Sequence, residues 1–171
     1  MNLTIRQLTP TDAAAYRALR LAALRAFPLA FQSDYEDALR QPLSWAEKRL
    51  ATAGDTMFGA FDGAQCDARL VGAICLRMPD GRKVRHAAEL KALAVDPERQ
   101  RQGIGRALVA HLLAHARALG HVRQISLTVI DGNTKAQQLY AAFGFQPFGL
   151  EPEALLLDGR YHAKQHRQLI L

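Results

Sequence analysis

The chain has 171 residues, with 22 Lys+Arg against 16 Asp+Glu for a formal net charge of +6, and 49% of it is hydrophobic. That balance fits a single globular core spanning 1–171 and excludes disordered, collagenous and coiled-coil classes. Only five of the basic residues are lysines (Lys48, Lys83, Lys91, Lys135 and Lys164), so the excess is mostly arginine, a planar donor that calls for an anionic partner such as a phosphate or a carboxylate.

The first strand is expected over Leu3 to Leu8, where Leu3, Ile5 and Gln7 alternate against Thr4, Arg6 and Leu8. Thr9-Pro10-Thr11-Asp12 opens a helix, with Thr9 as N-cap and Pro10 at the first helical position, and it runs to about Phe27 before Pro28. Tyr16, Leu19, Ala23 and Phe27 form its apolar face, and Arg17 and Arg25 fall on polar faces. A second helix runs from about Leu43 to Ala53. Thr56 to Phe61 and Arg69 to Arg77 read as an antiparallel hairpin across the Asp62-Gly63 turn, and His86 to Val95 is a longer strand ending at Asp96-Pro97. The period then switches to helical from Gly103, with Ile104, Leu108, Leu112 and Leu119 as the stripe and Gly120 as the left-handed C-terminal residue. Gln124 to Ile130 is a strand, Asn133 to Phe143 a helix, and Phe145 to Leu150 and Ala163 to Leu171 are the final strands. The order β-α-α-β-β-β-α-β-α-β-β, with no repeat or linker, predicts one mixed α+β domain.

The N-terminal residues carry no basic region followed by an apolar run, so a cytoplasmic protein is expected, and no apolar stretch approaches the length that spans a bilayer. Cys66 and Cys75 lack a C-x-x-C spacing and read as packing or loop residues. His111 and His115 stand at i, i+4 on one helix, but no third ligand is near them in sequence, and no metal site is expected. The sequence assigns no task to His86, His162 or His166.

The informative segment is Leu93-Ala94-Val95-Asp96-Pro97-Glu98-Arg99-Gln100-Arg101-Gln102-Gly103-Ile104-Gly105-Arg106. A strand ends, a loop turns and two glycines open an amphipathic helix, so unpaired backbone N–H groups gather beside the positive helix end. Arg99, Arg101 and Arg106 add charge, and a pyrophosphate fits such a place; the plainer reading is that Gly103 and Gly105 only permit a tight turn. Two competing phosphate motifs fail. The dinucleotide fingerprint needs glycine or alanine where Leu108 stands and an acid near Arg123 to Ile125, and a P-loop needs a Gly-Lys pair that the chain lacks. Nucleic-acid binding would rest on charge alone, since aromatics are 7% and no stacking platform or recognition helix is visible.

Gln100-Arg101-Gln102-Gly103-Ile104-Gly105 has the Q/R-x-x-G-x-G/A form of the GCN5-related N-acetyltransferase (GNAT) superfamily, and Asn133-Thr134-Lys135-Ala136-Gln137-Gln138-Leu139-Tyr140 followed by Phe143-Gly144-Phe145 is similar to its N-x-x-A-x-x-x-Y-x-x-x-G-F element. The chain resembles that superfamily most closely from Glu89 to Phe145. Arg101 departs from it, since many members carry glycine there. The resemblance implies a central, twisted, mostly antiparallel sheet flanked by helices and acetyl-CoA as cofactor. It assigns the pantetheine arm to the main chain of Leu93, Ala94 and Val95, in a splay between the strands ending at Val95 and Ile130. It gives the pyrophosphate to Gln100, Arg101, Gln102, Gly103, Ile104, Gly105 and Arg106, and places Asn133 near the arm and Tyr140 near the sulfur. Asn133 reads equally as an N-cap, and Tyr140 as a core aromatic.

The implied reaction is direct acetyl transfer to a primary amine. Tyr140 is then the general acid toward sulfur, a backbone N–H near Leu93 the oxyanion donor, and Glu89 the base. Glu89 lies 11 residues before Gln100, as the catalytic glutamate does in the histone-acetylating branch, and strict alternation would put it on the same side as Leu93 and Val95. The alternative is a strand carboxylate paired with Lys91 or Arg85. The acceptor site is expected around Phe31, Ser33, Tyr35, Glu89 and Tyr161, although Arg160-Tyr161-His162 also reads as a plain turn after Asp158-Gly159. A small-molecule acceptor is preferred to a protein N-terminus or lysine. A catalytically silent acyl-CoA-binding module is the alternative from another class, and a homodimer is expected from family habit.

Overall fold

Seven strands form one sheet in the order β1-β2-β3-β4-β5-β7-β6 in the computed structural model, which describes residues 2–63 and 68–171. The elements are β1 (Leu3–Gln7), α1 (Ala13–Ala26), α2 (Tyr35–Arg40), α3 (Leu43–Leu50), β2 (Asp55–Asp62), β3 (Arg69–Arg77), β4 (Ala87–Val95), α4 (Ile104–Ala118), β5 (Gln124–Ile130), α5 (Thr134–Ala142), β6 (Gln146–Leu157) and β7 (Arg160–Ile170). Every neighbouring pair is antiparallel except β4 and β5, the two strands joined by the α4 crossover. The expected α+β class and the predominantly antiparallel sheet are therefore observed.

Each face of the sheet buries its own helices. On one, the 3.6-residue spacing of Ile104, Leu108, Leu112 and Ala116 lays α4 against Phe58, Val71, Ile74 and Leu90, with Tyr140 and Phe145 completing the layer. On the other, Tyr16 and Leu19 of α1 and Ala46 and Leu50 of α3 cover Met57, Phe61, Ala73 and Cys75. Two glycines let these layers close. A Cβ on Gly72 would stand 2.8 Å from Ile104 Cγ2 and 2.9 Å from Leu108 Cδ1, and one on Gly59 would stand 2.5 Å from Leu8 Cδ2.

Several boundaries differ from the sequence reading for local reasons. Pro10–Asp12 is a 3-10 turn rather than the first turn of α1, and the Asp12 carboxylate accepts from the Thr9 N–H at 2.9 Å while pairing with Arg6. Leu8, expected to alternate outward, is 1% exposed under α1, because it lies just past the end of β1. α2 was not expected; its signal was Asp34, whose side chain caps the Glu36 and Asp37 amides, with acids in the first turn and Arg40 in the last. Arg17, placed on a polar face, is half-buried and donates to the Leu39 and Gln41 carbonyls, tying α1 to the turn before α3. α3 stops at Leu50, three residues short of the expectation. β6 continues through Ala154-Leu155-Leu156-Leu157 to pair with β7, so the final hairpin is much longer than its sequence signal. Leu119, expected in the α4 stripe, is the C-cap and is 37% exposed; Gly120 beyond it does adopt φ +70. Cys66 lies outside the described residues.

Candidate active site

β4 and β5 pair only from Ala87–Gln124 to Glu89–Ser126. Past that point the two strands diverge, so the β5-facing amides and carbonyls of Leu90 to Val95 have no ladder partner. The cause is partly a bulge: Cys75 pairs with Lys91 and Ala73 with Ala94, which sets Ala92 and Leu93 together opposite Ile74, and Ala92 sits at φ +55. The extra residue reverses the alternation. Leu93 and Val95 pack on the α4 face and Ala92 on the α1 face. Glu89 shares that second face, since its pairing partner Arg77 lies two residues from Cys75 of the same layer. Glu89 is thus on the opposite side of the sheet from Leu93 and Val95, correcting the expectation from strict alternation.

At the mouth of this splay the chain builds an amide cradle. Asp96 is 5% exposed; it accepts from the Glu98 N–H at 3.0 Å and from Arg69 at 2.7 Å, which pins the turn Pro97–Arg99. Arg101 at φ +64 and Gly103 at φ +78 are both left-handed, and the first helical bond runs from the Ala107 N–H to the Gly103 carbonyl. The amides of Gly103 to Arg106 therefore point outward without an intrahelical partner, beside the positive end of a 15-residue helix. A Cβ at Gly103 would meet nothing within 4 Å, so the space over the cradle is open. Of the three arginines around it, Arg99 pairs with Asp62 at 3.3 Å and Arg106 lies over the Phe143 ring at 5.3 Å, while Arg101 is exposed.

Cradle and splay open into one cavity of about 950 Å³, lined by Leu93, Ala94, Val95, Gly103 to Arg106, Asn133 and the segment Phe27 to Phe31. A smaller cavity of about 140 Å³ adjoins it and adds Gln32, Thr128, Tyr140 and Lys164. Asn133 does cap α5, its Oδ1 accepting from the Ala136 N–H at 3.2 Å, and it also lines both cavities. Tyr140 is 7% exposed, packs edge-on to Phe145 at 5.9 Å, and burial pushes its hydroxyl above the usual tyrosine range, so it stays protonated at neutral pH. Cys75 is fully buried in the α1 layer, and burial pushes its thiol up to about 12.

Most of the residues singled out in sequence converge here: Leu93 to Val95, Gln100, Arg101, Gly103 to Arg106, Asn133, Tyr140 and Phe31 line one or both cavities. Gln102, Ser33, Tyr35, Glu89 and Tyr161 do not. Ser33 accepts from Arg20 at 2.6 Å, Tyr35 begins α2, and Tyr161 is 62% exposed while its neighbour His162 faces the cavity. His111 and His115 pack edge-on to Phe58, at 4.8 and 5.0 Å. Sequence reading gave no site role to Lys164, Thr128 or Lys135, whereas Gln32 and His162 lie in segments expected at the acceptor pocket. Lys164 looked like any strand lysine; only its position between β5 and β6, opposite Ile130 on one side and Glu151 on the other, makes it interior.

The chain matches the model of the acetyltransferase (GNAT) family over residues 17–145, which contain the splay, the cradle and α5. The chain belongs to the GNAT acetyltransferase family. Among its relatives, a mycothiol acetyltransferase of Beutenbergia cavernae is 34% identical over 87 residues, 51% of this chain and 28% of that protein. A [ribosomal protein bS18]-alanine N-acetyltransferase of Escherichia coli is 35% identical over 101 residues, 59% of this chain and 64% of that protein. This GNAT chain thus matches less than two thirds of the length of these relatives, and in a mycothiol acetyltransferase of Geodermatophilus obscurus the match spans 18%. Among solved structures, a GNAT acetyltransferase from Streptococcus pneumoniae superimposes with a TM-score of 0.86 at 22% identity, covering 99% of this chain and all of that one. A putative acetyltransferase from Salmonella typhimurium, solved with acetyl-CoA, gives a TM-score of 0.77 at 22% identity over 100% of this chain and 95% of that one. These two likenesses carry the fold. Among the described residues, no helix is long and apolar enough to cross a membrane.

Proposed function

We propose that the protein transfers the acetyl group of acetyl-CoA to a primary amine of a small molecule by direct attack. The observation that carries this reading is the junction of the amide cradle at the start of α4 with the unpaired edge of β4 in a single cavity. The cradle suits a pyrophosphate, and the free β4 edge suits the amides of the pantetheine arm, which pair as an added strand does. The thioester then lies at the inner end, beside Tyr140 and Leu93.

The balance of the step is simple. A neutral amine nitrogen forms a bond to the thioester carbon, the C–S bond breaks, the thiolate takes a proton from Tyr140, and the amine's surplus proton restores the tyrosine. Amides of β4 near Leu93 donate to the carbonyl oxygen as charge develops on it. Among the described residues Cys75 is the one cysteine, and its buried thiol stays protonated, which disfavours a route through its acetylation. Glu89, outside both cavities, acts at most through solvent. The small volume of the inner cavity favours a compact amine over a folded protein acceptor, and the relatives' names cover both kinds.

Calorimetric titration with coenzyme A and thiol release from acetyl-CoA over an amine panel test this reading. Coenzyme A binding together with turnover supports it, and Tyr140→Phe should lower kcat about 10²-fold, within the range for general acid catalysis, with an unchanged acetyl-CoA affinity. Binding without turnover of any amine favours the silent acyl-CoA-binding module instead. A homodimer is part of the same proposal, and sedimentation equilibrium giving the monomer mass would remove it.

A further inference from the structure

Lys164 is 5% exposed and lines the inner cavity with Tyr140, Thr128 and Phe31, and its side chain takes part in none of the side-chain hydrogen bonds or ion pairs among the described residues. Glu151, its pairing partner on β6, bonds to His166 at 3.2 Å, and Asp131, just past the end of β5, accepts from Gln165 at 2.8 Å. A lysine that lines a cavity with no protein counter-charge bonded to its ammonium offers a charge-assisted hydrogen bond to an anion bound there. The lining of the two cavities is otherwise sharply biased in charge. Asp131 is its one carboxylate, against Arg99, Arg101, Arg106, Lys135 and Lys164.

Four of those five cations stand around the cradle or the start of α5, where the phosphates of coenzyme A belong on the reading above. The thioester end of that molecule carries no charge. An anion at Lys164 would therefore arrive with the acceptor. We infer, on the basis of the proposed function, that the acceptor is an amine carrying its own carboxylate, of the amino-acid type, and that Lys164 is the specificity-determining residue that holds this carboxylate beside the thioester. The same charge bias rejects polyamines and other polycationic acceptors.

The test compares a pool of free amino acids with the corresponding amino-acid amides and with a set of diamines, by thiol release from acetyl-CoA, in wild type, Lys164→Gln and Lys164→Met. Coenzyme A titration of all three proteins decides separately whether the cofactor reading stands and whether the variants fold. The expected result is kcat/KM at least tenfold higher for the acids than for the amides, and loss of that preference in both variants through a raised KM for the acids. Preference for amides or diamines overturns the inference, as does an acid preference that survives in the variants. An equal fall in kcat for acids and amides also overturns it, since Lys164 would then serve the thioester carbonyl. No release from the amino-acid pool with coenzyme A bound overturns it as well, whereas failure to bind coenzyme A overturns the proposed function itself.

Discussion

Arg101 occupies φ +64, a left-handed conformation that costs a residue with a Cβ about 1–2 kcal/mol relative to glycine. Its backbone turn, not its side chain, aims the amides of the cradle, so the departure from the family's usual glycine leaves the cradle's shape intact. Arg101→Gly should stabilise the fold by up to about 1 kcal/mol, offset in part by the greater freedom of the unfolded chain, while weakening coenzyme A binding through the lost charge. Denaturant midpoints and calorimetry read the two effects independently; a destabilised glycine variant would refute the strain argument. At this scale the cradle was legible in sequence, because Gly103 and Gly105 at a strand-to-helix junction report a backbone demand directly. Lys164 was not legible, because burial of a strand lysine depends on which strands flank it.

α4 owes its position to Gly72. The helix approaches β3 so closely that any side chain at that position meets Ile104 and Leu108, the first two buried turns behind the cradle. Gly72→Ala should therefore push the start of α4 outward, costing about 1–3 kcal/mol as overpacking does, and weaken coenzyme A binding in parallel. Chemical unfolding and a coenzyme A titration check this; unchanged affinity in a destabilised variant would mean that the cradle does not depend on this contact. The apolar period gave α4 away in sequence because 3.6-residue spacing is a local property. The bulge at Ala92 was hidden, since the Leu90 to Val95 run looks the same with or without an extra residue, and the face assigned to Glu89 failed for that reason alone.

Across the whole molecule, ion pairs outside the site tie β1 to the turn before α1 and β2 to β3. Hydrogen bonds from Arg6 hold the Asp12 carboxyl below its usual range. Burial, the largest single influence on Asp55, would raise it, but the two bonds from Arg77, at 2.8 and 3.1 Å, together with the positive charges of Arg77, Lys91 and Arg49, outweigh it and leave that carboxyl lowered too. Carboxyls lowered on folding contribute stability that is fully present above their unfolded pKa of about 3.9 and is lost as the pH falls through the folded values. The thermal midpoint should stay level from neutral pH to about pH 5 and drop below about pH 4, and Asp55→Asn should be less stable at pH 7 with a shallower acid decline; an acid decline as steep in that variant as in wild type would exclude this pair as a source. The surplus of basic residues has a comparable division of labour. Arg6, Arg69, Arg77 and Arg99 neutralise acids of the scaffold, and Arg101 with Lys135 and Lys164 face the cavities. By itself the sequence determined the family, the order of most elements and the cradle, all of which rest on residues close together in the chain. Tertiary structure alone decided the splay, the face of Glu89 and the burial of Lys164, because each depends on strand pairing between segments far apart in sequence.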